Sequence, residues 1–109
     1  MPEIRYYVAT DGQEPFADWF ADLEAVARAK ATRAIARLEQ GNFSNVKSIG
    51  EGVLEYKIDF GPGYRVYFGR DGEAVVILLT GGTKKRQQRD IATAHTYWQD
   101  YKQSKRERR

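Results

Sequence analysis

Residues 52–87 read GVLEYKIDFGPGYRVYFGRDGEAVVILLTGGTKKRQ, and three strand patterns, two turn signals and a cluster of cations fall within this stretch. From Val53 to Phe60 the chain alternates. Leu54, Tyr56, Ile58 and Phe60 point one way, and Val53, Glu55, Lys57 and Asp59 the other, as in a strand with one buried face and one charged, open face. Gly61-Pro62-Gly63 then turns the chain. Tyr64, Val66 and Phe68 rejoin the apolar side, which leaves Arg65 and Tyr67 on the open side with Lys57 and Asp59. Asp71-Gly72 is the strongest hairpin signal in the chain. It returns the backbone as Ala74–Leu79, an unbroken apolar run expected of an inner strand covered at least in part on both sides.

The flanking sequence reads as scaffold. Ile4 to Val8 is a short opening strand with Ile4, Tyr6 and Val8 on one face, broken at Asp11-Gly12. Pro15 suits the first turn of a helix, and Phe16, Trp19, Phe20 and Leu23 follow at helical spacing, so these aromatics read as core packing. A second helix spans Asp22 to Gln40. Leu23, Ala27, Ala31, Ala34 and Leu38 form its apolar stripe, Arg28, Lys30, Arg33 and Arg37 lie mostly off it, and Gly41 stops it. Asn42 to Gly50 reads as a connecting loop. A last helix follows Thr83, with Ile91, Ala94, His95, Trp98 and Tyr101 on its stripe and a polar end from Lys102 expected to fray. The order β-α-α-β-β-β-α predicts an α+β domain over residues 1–102 with a basic tail at 103–109. Its small sheet is mostly antiparallel, with helices packed on one face and a basic concave face open.

Composition narrows the chemistry. A chain of 109 residues with 41% hydrophobic and 30% charged residues supports one core. The absence of cysteine rules out disulfides, a thiol nucleophile and thiolate metal sites. With one histidine, neither a zinc site nor a Ser-His-Asp arrangement can be built apart from His95, which reads as a core or helix-edge residue. No cofactor is expected. No run is apolar enough for a signal core or a membrane span, so a soluble cytoplasmic protein without membrane contact is expected. Residues 1–83 carry 9 basic and 12 acidic side chains, a net −3, whereas residues 84–109 carry 9 and 3, a net +6. Positive charge gathered at one end points to a polyanionic partner, with a solvated basic tail as the alternative.

The sharpest local oddity is Lys84-Lys85-Arg86 at the start of the last helix. Cations there oppose the helix dipole by roughly a few tenths of a kcal/mol each. Together with free helix N–H groups and the Gly81-Gly82 backbone they describe an anion pocket fit for phosphate. The alternative is that the helix begins near Gln87 and the cations form a solvated loop. Lys57 and Arg65, facing out from neighbouring strands, would add two cations beside the pocket. Such a cluster can hold a scissile phosphate and stabilise its pentacoordinate transition state without a metal. Crowded positive charge also lowers a lysine pKa toward that of a general base for a ribose 2′-hydroxyl. Tyr67, and Tyr64 if the turn exposes it, either stacks on a base or donates a proton, or else packs in the sheet. Asp59 and Glu55 are either salt-bridge partners of Lys57 and Arg65 or, for Asp59, an acid/base group.

The segments GVLEYKIDFGPGYRVYF and LLTGGTKKRQQRDIATA, with the order of elements, resemble the RelE/ParE toxin superfamily of bacterial toxin–antitoxin systems, closest to its phage-derived, HigB-like addiction module killer protein branch. The resemblance implies the toxin of a type II system: a ribosome-dependent mRNA endonuclease that needs no metal and inhibits translation. Its partners would be mRNA, the ribosome and a cognate antitoxin, often with a helix-turn-helix DNA-binding domain, through which it would oligomerise. On the matching positions, Arg65 corresponds to a phosphate-binding arginine, Lys57 to a catalytic-strand lysine and Lys84 to the basic residue after the double glycine. Arg86, Lys85, Asp59 and Tyr67 would support RNA or phosphate binding. Asp59 stands where RelE-type enzymes carry a second lysine, and neither histidine nor tyrosine opens the last helix. Two other readings follow from the same likeness: a ParE-like DNA gyrase inhibitor without nuclease activity, and a degenerate module that binds antitoxin or nucleic acid.

Overall fold

The structure, a computed structural model, describes residues 1–107. Its strands are β1 (Glu3–Tyr6), β2 (Val46–Ser48), β3 (Val53–Ile58), β4 (Tyr64–Asp71) and β5 (Val75–Thr83). Its helices are α1 (Pro15–Ala21), α2 (Ala25–Glu39) and α3 (Gln87–Glu107), and a 3₁₀ turn at Lys84–Arg86 leads into α3. The strands form one sheet in the order β1-β5-β4-β3-β2. The β5–β4, β4–β3 and β3–β2 pairs are antiparallel, whereas β1 returns after the helices to lie parallel to β5. The fold is therefore α+β with a mostly antiparallel sheet, as expected, the one parallel pair among the described residues being β1–β5.

Both turn signals form turns. Gly61 and Gly63 take φ of +54° and +77°, and Gly72 takes +70°, a region closed to most side chains. Gly41, at φ +78°, ends α2, with the Gly41 N–H donating to the Leu38 carbonyl and the Asn42 N–H to the Arg37 carbonyl. The Asn42–Gly50 segment departs from the expected loop, since Val46–Ser48 pairs with β3 as a fifth strand. Three residues are too few to show a period, and their pairing depends on the edge that β3 offers.

The larger departure concerns the faces of the sheet. On one side, Tyr56, Ile58, Val66, Phe68, Val76 and Leu78 pack under α1 and α2, against Phe16, Ala31, Ala34 and Leu38. On the other, Val53, Tyr67, Ile77 and Leu79 pack under α3, against Ala94 and Trp98. The helices thus cover both faces, and the expected open concave face is occupied by α3. The reason lies in β4 and β5, where side chains of both parities are apolar or aromatic, so leaving either face bare would expose a large apolar area. Two glycines let the indoles sit close to the sheet. A side chain at Gly81 would overlap the Trp19 ring, and one at Gly69 the Trp98 ring.

The ends of the chain differ in detail. In β1 the buried side chain is Tyr7, just past the strand, whose N–H donates to the Leu78 carbonyl, while Tyr6 and Val8 are exposed. α3 continues beyond Lys102 because its last turns are tied down: Asp71 accepts hydrogen bonds from Tyr101 at 2.7 Å and from Lys105 at 2.5 and 2.6 Å. One turn earlier, Tyr7 donates to Asp100 at 2.5 Å. Residues 108 and 109, the end of the expected basic tail, lie outside the described residues. No helix among the described residues is long and apolar enough to cross a membrane.

Candidate functional site

The antiparallel registers bring the sequence-predicted cations to one end of the sheet. Lys57 on β3 is paired with Arg65 on β4, and Arg65 with Gly82 on β5. Lys84 follows one residue after β5 and sits beside the Gly61–Gly63 turn, its N–H directed at the Pro62 carbonyl at 3.4 Å. Gly63 is the meeting point. A Cβ there would lie 2.8 Å from Arg65 Nη1 and 3.4 Å from Lys84 Cβ, so this glycine is required both by its positive φ and by the closeness of the two basic side chains.

The members differ sharply in accessibility. Lys57 is exposed, and its ammonium lies 3.5 Å from the carboxylate of Asp59, itself 89% exposed. Lys84, Lys85 and Arg86 are exposed on the 3₁₀ turn, and none of the three forms a salt bridge among the described residues. α3 itself begins at Gln87, so the cations precede its first turn. Arg65 is only 4% exposed. Its Nη1 donates to the Gly63 carbonyl at 2.6 Å, which folds the guanidinium back along the turn, and its Nε is buried without a partner among the described residues.

Tyr67 does not reach the surface. It is fully buried under α3, which removes base stacking as its role and leaves the packing role. Its hydroxyl faces Glu55 across the β3–β4 pair and has no hydrogen-bond partner among the described residues. Burial first, and then the negative charges of Glu55 and Asp90, push its ionisation far above the ordinary tyrosine range.

Three polar residues complete this end of the sheet, and the strand pattern alone did not foresee their arrangement. Glu55, expected on an open face, is 1% exposed because α3 starts above it. Its Oε2 accepts from Gln87 Nε2 at 3.0 Å, and Lys47 on β2 approaches Oε1 to 3.7 Å. Asp90, in the first turn of α3, lies over Gly82, where any side chain would overlap its carboxylate. Burial raises its pKa above that of an ordinary aspartate, against the opposing pull of Arg86 and Arg89. The one signal for it in the sequence is Gly82, whose lack of a side chain leaves room for the Asp90 carboxylate. His95 lies at the helix edge, where its Nε2 is 2.9 Å from the Ile49 carbonyl. Among the described residues no three His, Asp or Glu side chains gather as metal ligands would.

Residues 18–102 match the family described as phage derived protein Gp49-like (DUF891). The chain belongs to this family. The Gp49-like match includes β2 to β5, α2 and the cations at this end of the sheet, and leaves out β1. A protein of Haemophilus influenzae described as uncharacterized is 44% identical over 80 residues, which cover 72% of this chain and 81% of that protein. The Gp49-like segment thus contains the whole basic end of the sheet, from Lys57 through Arg65 to Arg86.

Proposed function

We propose that this Gp49-like protein is the toxin of a type II toxin–antitoxin system and acts as a metal-independent, ribosome-dependent mRNA endonuclease. The family is phage-derived and toxin-like, related to RelE and HigB, which supports the toxin reading at the coarser level. The observation that carries the finer reading is the convergence of Lys57, Arg65 and Lys84 at one end of the sheet, around a turn that tolerates only glycine at residue 63.

In this reading the exposed ammonium groups of Lys57 and Lys84 bracket the scissile phosphate, and Lys85 and Arg86 hold the strand beside it. Arg65, fixed on the Gly63 carbonyl, supplies a preorganised positive charge from below, in the low-dielectric margin of the core where such charge acts most strongly. Asp90 supplies the carboxyl group that the cation cluster lacks. Its pKa is raised by burial, and it stands next to the backbone that carries Arg65's partner Gly82. In a balanced cleavage, a lysine takes the 2′-hydroxyl proton, the 2′-oxygen attacks phosphorus, and the 5′-oxygen leaves with a proton from the acid. The partners would be mRNA on the ribosome and a neutralising antitoxin.

The test is expression in a bacterial host with primer-extension mapping of transcripts. Cuts within translated regions, lost together with growth inhibition in Arg65→Ala, support the reading. Intact transcripts in growth-arrested cells overturn it. The burial of Arg65 and Tyr67 favours one second reading, a ParE-like gyrase inhibitor that binds without chemistry. That reading predicts DNA damage with intact transcripts, and growth arrest that persists in Lys84→Ala.

A further inference from the structure

A second basic surface lies around the β3 edge from the site described above. The last β2–β3 partners are Val46 and Tyr56, so β3 runs on through Lys57 and Ile58 with no strand on that side among the described residues. Between this bare end and α2 lies a groove of roughly 400 Å³, lined by Lys30, Arg33 and Arg37 from α2 and by Tyr56, Lys57 and Asp59 from β3 and its end.

Helix α2 is unusual in charge. It carries Arg28, Lys30, Arg33 and Arg37 against one acidic residue, Glu39, at its last position. Lys30 and Arg33 are three residues apart and Arg33 and Arg37 four apart, spacings at which like charges repel on a helix. Arg28 has a structural task, since its Nη1 donates to the Leu23 carbonyl at 3.0 Å. The other three form no salt bridge among the described residues, and the one carboxylate in the groove, Asp59, is paired with Lys57. One wall is preset. The Tyr56 hydroxyl, nearly buried, accepts from Arg37 Nη1 at 3.0 Å and Asn45 Nδ2 at 3.4 Å, which fixes the Arg37 guanidinium on the wall. Lys30 is likewise placed, its ammonium 4.8 Å from the centre of the Phe60 ring.

We propose that this groove is a second phosphate-binding surface, continuous with the first through Lys57, and that a single strand of RNA crosses the β3 edge with phosphates held on both sides. Lys57 is the hinge of the path. It lines the groove and is also paired in register with Arg65, whose turn touches Lys84. Three cations without carboxylate partners are a poor surface for a protein at rest and a good one for a polyanion whose counterions they displace. The proposal rests on the nuclease reading for the identity of the polyanion.

The experiment measures binding of a 2′-O-methylated oligoribonucleotide of about 12 residues, which cannot be cleaved, by fluorescence anisotropy over a range of salt concentration. The substitutions Lys30→Gln and Arg33→Gln are made together, because both side chains project from the helix surface and leave the Arg37–Tyr56 contact intact. Two lost phosphate contacts reduce the slope of log K against log salt by about 1.4 and weaken binding roughly 25-fold at 0.1 M salt. Unchanged affinity and slope, with binding still lost in Lys84→Ala/Arg86→Ala, would overturn the groove and leave the nuclease reading standing. Groove-dependent binding with intact transcripts in cells would do the reverse. RNA binding untouched by the double substitution, alongside an oligoglutamate that binds only the wild type, would assign the groove to an acidic polypeptide and overturn the proposal.

Discussion

Replacing Gly69 by alanine probes the packing that closes the second face of the sheet. The backbone at Gly69 is not in the left-handed region, so with nothing above it alanine would be favoured in the strand by roughly 0.5–1 kcal/mol. The Trp98 ring occupies that space, however, and a Cβ would overlap three of its atoms. The ring has little room to retreat. It is 6% exposed, stacks on Tyr101 at 5.2 Å between centroids, and also lies against Gly52. Overpacking of this kind costs about 1–3 kcal/mol, and the trapped ring places Gly69→Ala at about 2–3. For a chain of this length that lowers the melting temperature by about 8–20 °C. The assay is urea unfolding of Gly69→Ala, Trp98→Ala and the double variant. Trp98→Ala alone removes a large buried ring and costs about 3–5 kcal/mol. In its background Gly69→Ala should become neutral or stabilising, giving a coupling energy of about 2–3 kcal/mol. Additive effects, or a Gly69→Ala protein as stable as the wild type, would show that α3 does not sit on the sheet as described.

Asp90→Asn tests the buried carboxyl. Because its folded-state pKa is raised, the stability it contributes is complete below the unfolded aspartate pKa and is lost as pH rises through the folded value, so the substitution should relatively stabilise the protein above that folded value and not near pH 3, as read by urea titration at each pH. Asp71 has the opposite sign. The hydrogen bond from Lys105, and then that from Tyr101, hold its pKa below the usual range, so its contribution is present above the unfolded pKa and fades as pH falls through the folded value. Asp71→Asn should therefore destabilise at pH 7 and have little effect near pH 2, with hydrogen exchange increasing first in the last turns of α3. Gln87→Leu leaves the buried Oε2 of Glu55 without its donor and should cost about 1–3 kcal/mol in chemical unfolding, whereas Lys47→Gln, on an exposed partner, should cost less than about 1.

Much of this molecule was legible in one dimension. The periods of β3, β4 and β5, the glycine turns, and the two helices before them are local properties, set by side chains a few residues apart and by backbone angles that only glycine takes readily. Antiparallel pairing across short turns then fixed the register, so the meeting of Lys57, Arg65 and Lys84 was already implied by residues 52–87. What the tertiary structure alone decided was the side on which each layer lies. Alternation divides a strand into two faces but does not say whether a distant helix will cover the second, and here α3 did, burying Glu55 and Tyr67 and drawing in Arg65. The cost of leaving Ile77, Leu79 and Tyr67 in water exceeds that of burying one carboxylate with a glutamine donor. That balance left Lys57 and the Lys84–Arg86 turn as the exposed rim. The basic stretch that the sequence marks at Gly52–Gln87 is therefore not an open face but a single end of the sheet, with its positive charge divided between a buried arginine and exposed lysines.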